Sequence, residues 1–317
     1  MSLQIDRAAN IVLQTSPYLL YRALVYGVIC ALAIGYLAIL GVIGAVFGSA
    51  AFVVLLVASV GLAVLMDSGR LLDEHLLYRV KAGHVALVTE VAAEGSFITG
   101  TSQTRWAGDS LLEYFEDESM LTAVNELVRE AIRTANHTLL DITAVLPRHL
   151  SGGAAGLERH VADLSLAYVN EGVLAYAFHT KNPNVFEAAK TAVVLYCQSW
   201  KEVLKNAMFL TLLSYVFVIV STVVFLLPLG VIAVKLPEAW AGAKLSLFAM
   251  ALVLGMGAKW VLFDPVGCTS TVLTFLDGIE ELAPEPEWEQ RLAEASDRFR
   301  VLQERAAEPA GAEDDED

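Results

Sequence analysis

The sequence predicts an all-α integral membrane protein: four transmembrane helices arranged as two hairpins, with several amphipathic or half-membrane helices on the cytoplasmic side. Three observations predict it. The 317 residues are 56% hydrophobic and 18% charged, against about 45–50% and about 25% in soluble domains. Their mean hydropathy is +0.56. Uncharged runs are long enough to cross a bilayer, and the rest of the chain places apolar residues at three-to-four spacing with no strand-like alternation.

Residues 1–22 form a cytoplasmic or interfacial N-terminal segment. Leu3 to Gln14 reads as a weak amphipathic helix with Ile5, Ala8, Ala9 and Val12 on one face. It either lies in the interface or is a solvated entry to the first span. Asp6, Arg7 and Arg22 precede an apolar run far longer than a signal-peptide core, so a cleaved signal is not expected.

Residues 23–66 form the first hairpin. Ala23 to Met66 holds no charge over 44 positions. One span takes about 20 residues, so this run is two spans joined by a turn near Gly44 to Ser49. Residues 206–279 form the second hairpin. Asn206 to Val234 is uncharged, and Lys235 and Pro237 end it. A fourth span runs from Lys244 to Phe263, then meets Asp264-Pro265, where the proline either kinks the helix or marks its exit from the bilayer.

Residues 67–205 read as a helical cytoplasmic or interfacial segment. Leu71 to Ala93 carries Leu72, His75, Leu76, Val80, His84, Leu87, Val88 and Val91 on a stripe. Asp109 and Ser110 are expected to cap a helix from Leu111 to Val145. A third helix runs from Leu157 to Thr180, with Val161, Leu164, Tyr168, Ala175 and Phe178 on its stripe. Asn182-Pro183-Asn184 is a turn, and a fourth helix, Val185 to Asn206, leads without a break into the third span. Ala82 to Ala93 and Val173 to Phe178 are too apolar for surface helices. They are expected to enter the bilayer in part or to plug against the spans.

Residues 280–317 form an acidic cytoplasmic tail with 14 acidic and 4 basic residues. One helix, Glu287 to Ala307, is expected within it. The composition predicts a solvated, partly disordered end that is dispensable for folding, or a docking site for a basic protein partner.

Lys and Arg near span ends set orientation. Arg7, Arg22, Arg70, Arg79, Lys81, Lys190, Lys201 and Lys205 fall on one side if both pairs are hairpins. That side, with both termini, is the cytoplasmic side of the cell membrane.

The net charge of −15, from Lys+Arg 21 against Asp+Glu 36, argues against nucleic acid. Cys30, Cys197 and Cys268 are too scattered for a disulfide framework or a zinc ribbon. The six histidines (His75, His84, His137, His149, His160 and His179) show no metal-ligand spacing. No phosphate-binding loop, HExxH or GxSxG occurs, so neither a cofactor nor an enzyme activity is expected.

The candidate site residues are polar groups in apolar surroundings, where burial is costly unless they are paired or wetted. Lys259 and Asp264 are five apart, about 140° around an α-helix, and so do not face each other well within one. They are either a cavity-facing charge pair or a snorkelling Lys and an interfacial Asp. Tyr168, Asn170 and Glu171 stand in an apolar helix. Glu171 either attracts a cation in a wet cavity, with aromatic faces at Tyr168 and Tyr176, or makes a helix-packing hydrogen bond. Ser214, Tyr215, Ser221 and Thr222 read as interhelical or backbone-bonded groups of the third span.

Leu164 to Glu171, then Ala177, then Asn184-Val-Phe186-Glu-Ala188-Ala189-Lys190-Thr-Ala192, with Val272 to Asp277 downstream, resembles the C-terminal part of the choline-transporter-like proteins. That family has a YxNxxAY helix, an NFxxSAKxAF helix leading into a span, and a VDxLFLCFxxD close. Its Cys and second Asn are not matched here, and its Ser before Ala-Lys is Ala188. The likeness covers residues 160–280 of a chain about half the family's size. It implies a transporter-like membrane architecture and does not specify choline.

Two functions follow as expectations. One is solute transport or channel-like permeation by a homo-oligomer, since four spans are few for a pathway. Gly35, Gly41, Gly44, Gly48, Gly255 and Gly257 would allow close helix contact in it. The other is a non-transporting membrane scaffold that presents a helical platform and an acidic tail.

Overall fold

The computed structural model describes residues 4–47, 61, 77–97, 100–115, 118–142 and 157–308. All regular structure among them is helical. In chain order the helices are α1 (Ile5–Gln14), α2 (Ser16–Phe47), α3 (Tyr78–Glu94), α4 (Gln103–Tyr114), α5 (Glu118–Thr138), α6 (Leu157–Thr180), α7 (Val185–Lys235), α8 (Ala241–Ala258), a π-turn (Lys259–Phe263), α9 (Asp264–Ile279), α10 (Pro286–Ala295) and α11 (Asp297–Ala307). Among the described residues three helices are long and apolar enough to cross a membrane: Ser16–Val46, Val185–Lys235 and the continuous run Glu238–Ile279. The turn expected near Gly44 to Ser49 does not begin at Gly44, since Gly44 to Phe47 are still α-helical; the rest of it and the second span, Gly61 apart, lie outside the described residues.

The chain divides into two compact units. The first comprises residues 1–18, 78–212 and 266–317. Its centre is α3, which packs against α1, α4, α5 and α6. That arrangement explains the apolar run Ala82 to Ala93: Ala82, Val85, Leu87 and Val88 are at most 1% exposed because protein surrounds them. The apolar face of α1 (Ala8, Ile11 and Val12) is buried too. It lies on α3 rather than in an interface or in solvent.

Two details seat the start of α2 in this unit. The Tyr18 ring stacks on His84 at 5.7 Å, and its hydroxyl donates to the Val80 carbonyl at 2.9 Å. His84 Nε2 meets Thr15 Oγ1 at 3.0 Å.

Three expectations are corrected. The helix expected from Leu111 to Val145 is two helices. Ser102 stands at the N-cap of α4, so Asp109 and Ser110 lie inside it, and the chain is extended at Phe115. Phe115 is 1% exposed, its ring 6.2 Å from Phe178, so burying this ring takes precedence over helix continuity. The tail helix is also two helices, parted at Ser296, whose side chain accepts the Phe299 N–H and caps α11. Nor is the stretch up to Glu308 a solvated end: Leu292, Phe299 and Leu302 are fully buried, and α10 and α11 pack on α5. High charge hid a narrow apolar stripe at three-to-four spacing. Polar contacts reinforce the docking: Asn184 Nδ2 donates to the Ala306 carbonyl at 3.0 Å, and Lys190 lies 3.5 Å from Glu289.

The expected turn at Asn182-Pro183-Asn184 is present. Asn182 Oδ1 accepts the Asn184 N–H at 2.9 Å, and Asn184 Oδ1 caps α7 by accepting the Glu187 N–H at 3.0 Å. From there α7 runs 51 residues unbroken through Pro228, about 77 Å at 1.5 Å per residue. Only part of it can lie in a hydrocarbon core of about 30 Å.

The second unit comprises residues 19–77 and 213–265. Here α2 and α8 touch through small residues. A Cβ on Gly44 would lie 3.0 Å from the Gly242 backbone, one on Gly41 3.3 Å from Ser246, and one on Gly257 2.6 Å from the Cys30 sulfur. These pairs run in opposite order along the two chains, so α2 and α8 are antiparallel. By the same logic Thr222 against Gly255 and Phe217 against Phe263 make the unit's part of α7 antiparallel to α8. The outer faces are apolar: Leu24, Leu32, Ile39, Ile219, Val223, Leu227 and Leu252 are all more than 40% exposed. In water this would be a large unfavourable surface. In lipid it is the solvated one.

Candidate functional site

Two polar clusters stand out, one in each unit. The second unit's cluster is built on the π-turn Lys259–Phe263. In α-helical register Lys259 and Asp264 would point apart. Here the Asp264 N–H bonds to the carbonyl of Lys259, five residues back, and a turn of that width stacks residues i and i+5. The ammonium and carboxylate therefore meet, with Lys259 Nζ 2.8 Å from Asp264 Oδ1 and 3.0 Å from Oδ2. The side chains are 19% and 14% exposed. The sequence-based expectation of poor pairing within one helix fails because it assumed an α-helix.

Pro265 follows directly. It has no N–H, so in the five-residue register the Trp260 carbonyl has no helical donor. Arg22 supplies one from α2: its Nε donates to that carbonyl at 3.1 Å. Arg22 is 3% exposed. Its guanidinium lies 5.4 Å over the Tyr26 ring, and Tyr26 tilts against Trp260 at 5.6 Å. A charged pair, a second cation and two aromatic rings thus converge at one helical irregularity. In a spanning helix, ionisable groups and π-turns are both features associated with function.

The first unit's cluster lies on α6. Tyr168 is buried, its ring packed where a Cβ on Gly267 would come within 2.9 Å. Glycine at 267 therefore makes room for the ring. Asn170 is 6% exposed and its Nδ2 donates to Asn125 Oδ1 on α5. Glu171 is half-buried. Burial first, and then the charges of Glu171 and Cys268, push the Tyr78 phenol well above its ordinary range. The cavity here is small, about 10 Å³, and is lined by Tyr78, Asn125 and Asn170 among apolar side chains.

The candidates thus fall into two sets: Tyr168, Asn170 and Glu171 in the first unit, Lys259 and Asp264 in the second. Sequence reasoning missed Arg22, which it read only as a topology marker, and Tyr26, Trp260, Tyr78 and Asn125. The signal for Arg22 was Pro265: a proline inside an apolar helix leaves a carbonyl needing a donor. Of the span-three hydroxyls, Thr222 is packed against Gly255.

The chain matches no known family model, no curated protein and no solved structure. What fold and site define is therefore a class: a protein that is helical throughout its described regular structure, with three helices among the described residues apolar enough to cross a membrane.

Proposed function

We propose that the chain is a four-span membrane protein that translocates a solute, working as a homo-oligomer with both termini on the cytoplasmic side. The observation that carries this reading is the Lys259–Asp264 pair, held in register by a π-turn in an otherwise apolar helix. A charge pair that only filled space would be less favourable there than two apolar side chains.

Four spans are supported by direction. Since α2 and the second unit's part of α7 both run against α8, they are parallel to each other. The chain must then cross back between Phe47 and Leu213, and the uncharged run continuing to Met66 is the apolar stretch available for it. Oligomerisation is supported by Gly27, Ala31 and Gly35, which are exposed at four-residue spacing on α2. The resemblance to choline-transporter-like proteins supports a transporter-like architecture.

The test is flux into proteoliposomes from a panel of labelled inorganic cations and small organic cations and anions. Lys259→Met/Asp264→Leu removes both charges together and is expected to fold while losing flux. Wild-type vesicles without flux for the whole panel, or a double variant with undiminished flux, would refute translocation through this pair. Topology is checked separately: a Cys placed at Ala239 should label from outside intact cells, and one placed at Ala312 should not.

One observation favours the scaffold reading instead. The cavity beside Asn170 has room for a water but not for a solute. On that reading the polar residues of α6 are packing contacts of a helical platform, and flux is absent while the fold is intact.

A further inference from the structure

The geometry points to a single ordered water bound between Asn170, Asn125 and Tyr78, joining α6 to α5 and α3. The inference does not depend on translocation. Asn170 is 6% exposed, and its Oδ1 is buried without a hydrogen-bond partner, although its Nδ2 is used on Asn125. A carbonyl oxygen buried without a donor is destabilising, because it has given up its hydrogen bonds to water.

The same residue lines a cavity of about 10 Å³, close to the smallest space that admits one water. Three polar residues line it (Tyr78, Asn125 and Asn170), while the rest, such as Phe115, Val128 and Val173, are apolar. A buried water makes about three hydrogen bonds on average. This cavity offers that number and leaves no room for a second molecule. A water donating to Asn170 Oδ1 satisfies the amide, and Tyr78 and Asn125 complete its shell. The apolar lining excludes a bare ion, which would need more oxygen ligands than the cavity presents.

The experiment is a density map of the full-length protein in a lipid nanodisc, at a resolution that resolves ordered water. The expected result is one peak within hydrogen-bond distance of Asn170 Oδ1. In Asn125→Leu/Asn170→Leu, which replaces both amides with apolar groups of similar size, the peak should be gone. A wild-type map with no peak, and the Asn170 amide turned so that a protein donor meets its oxygen, would overturn the inference. So would a peak that persists in the double variant, since the amides would then not be what holds it.

Discussion

Replacing Phe299 by alanine isolates what holds the C-terminal helices down. The ring is fully buried, as are Leu292 and Leu302, and α10 and α11 lie against α5. Truncating a buried Phe to Ala destabilises by about 3–5 kcal/mol, part transfer and part cavity. The neighbouring arginines are built-in reporters: Arg298, Arg300 and Arg305 keep their side chains 55%, 58% and 45% exposed. Their backbone is helical, so trypsin cuts only when the segment opens locally. If opening is fast relative to cleavage, the cleavage rate follows the open population. At about 1.4 kcal/mol per factor of ten, the lower bound of about 3 kcal/mol predicts cleavage faster by about two orders of magnitude. Val301→Ala, on an exposed position of the same helix, should change the rate little. The assay is limited trypsin digestion of detergent-solubilised protein, followed by mass spectrometry of the released peptides. If wild type is cut after Arg298 as fast as the isolated tail peptide, or if Phe299→Ala digests like wild type, the tail is not docked and the reasoning fails.

The remaining predictions concern the second unit. Asp264→Asn alone leaves the Lys259 ammonium half-buried and unpaired and should lower the melting temperature strongly, whereas Lys259→Met/Asp264→Leu should restore most of it, because removing one partner of a buried pair costs about 3–5 kcal/mol and replacing both is near neutral. Gly242→Ala puts a Cβ 2.9 Å from the Gly44 backbone and should destabilise the protein in a thermal shift assay. Gly230→Ala meets nothing within 4 Å and should be neutral or mildly stabilising, through a helix propensity gain of up to about 1 kcal/mol. Arg22→Met and Pro265→Ala should be coupled in a double-mutant cycle by about 0.5–3 kcal/mol, because alanine at 265 restores the N–H that Arg22 replaces; additive effects on unfolding free energy would break that link.

Much of the fold was legible because apolar spacing and charge-free runs respond to local chemistry. The run from Asn206 to Val234, the Asn182-Pro183-Asn184 turn and the limits of α6 all follow from residues within a few positions of one another. What was not legible depends on distant residues. Phe115 is extended and buried against Phe178, 63 positions along the chain, and no window around residue 115 contains that contact. The tail reads as solvated by composition, yet three apolar side chains at 292, 299 and 302 suffice to seat it on α5. At the site, Tyr168, Asn170 and Glu171 were found as polar groups in an apolar helix. Asn125, the partner of Asn170, lies on another helix, as does Tyr78, and neither carries a local signal. Lys259 and Asp264 were found but not joined, since α-helical periodicity was the wrong ruler for that turn.

The π-turn ties three sequence features into one physical unit. A proline at 265 removes an N–H from the helix, so a backbone carbonyl one turn back needs another donor. One way out is a kink. The chain instead widens one turn, which leaves the Trp260 carbonyl facing outward, and Arg22 of α2 donates to it. The widening also brings position 259 over position 264, and those two positions carry opposite charges. Without the π-turn, Lys259 and Asp264 would each face apolar surroundings alone. Without the pair, the turn would lose the contact that favours the wider register over the α-helical one. Arg22, in turn, can enter a buried site because a backbone carbonyl and the Tyr26 ring receive it. Each element makes the next tolerable. A change at any one of Arg22, Lys259, Asp264 or Pro265 is therefore expected to be felt at the other three, because the hydrogen bond, the ion pair and the wide turn hold one another in place.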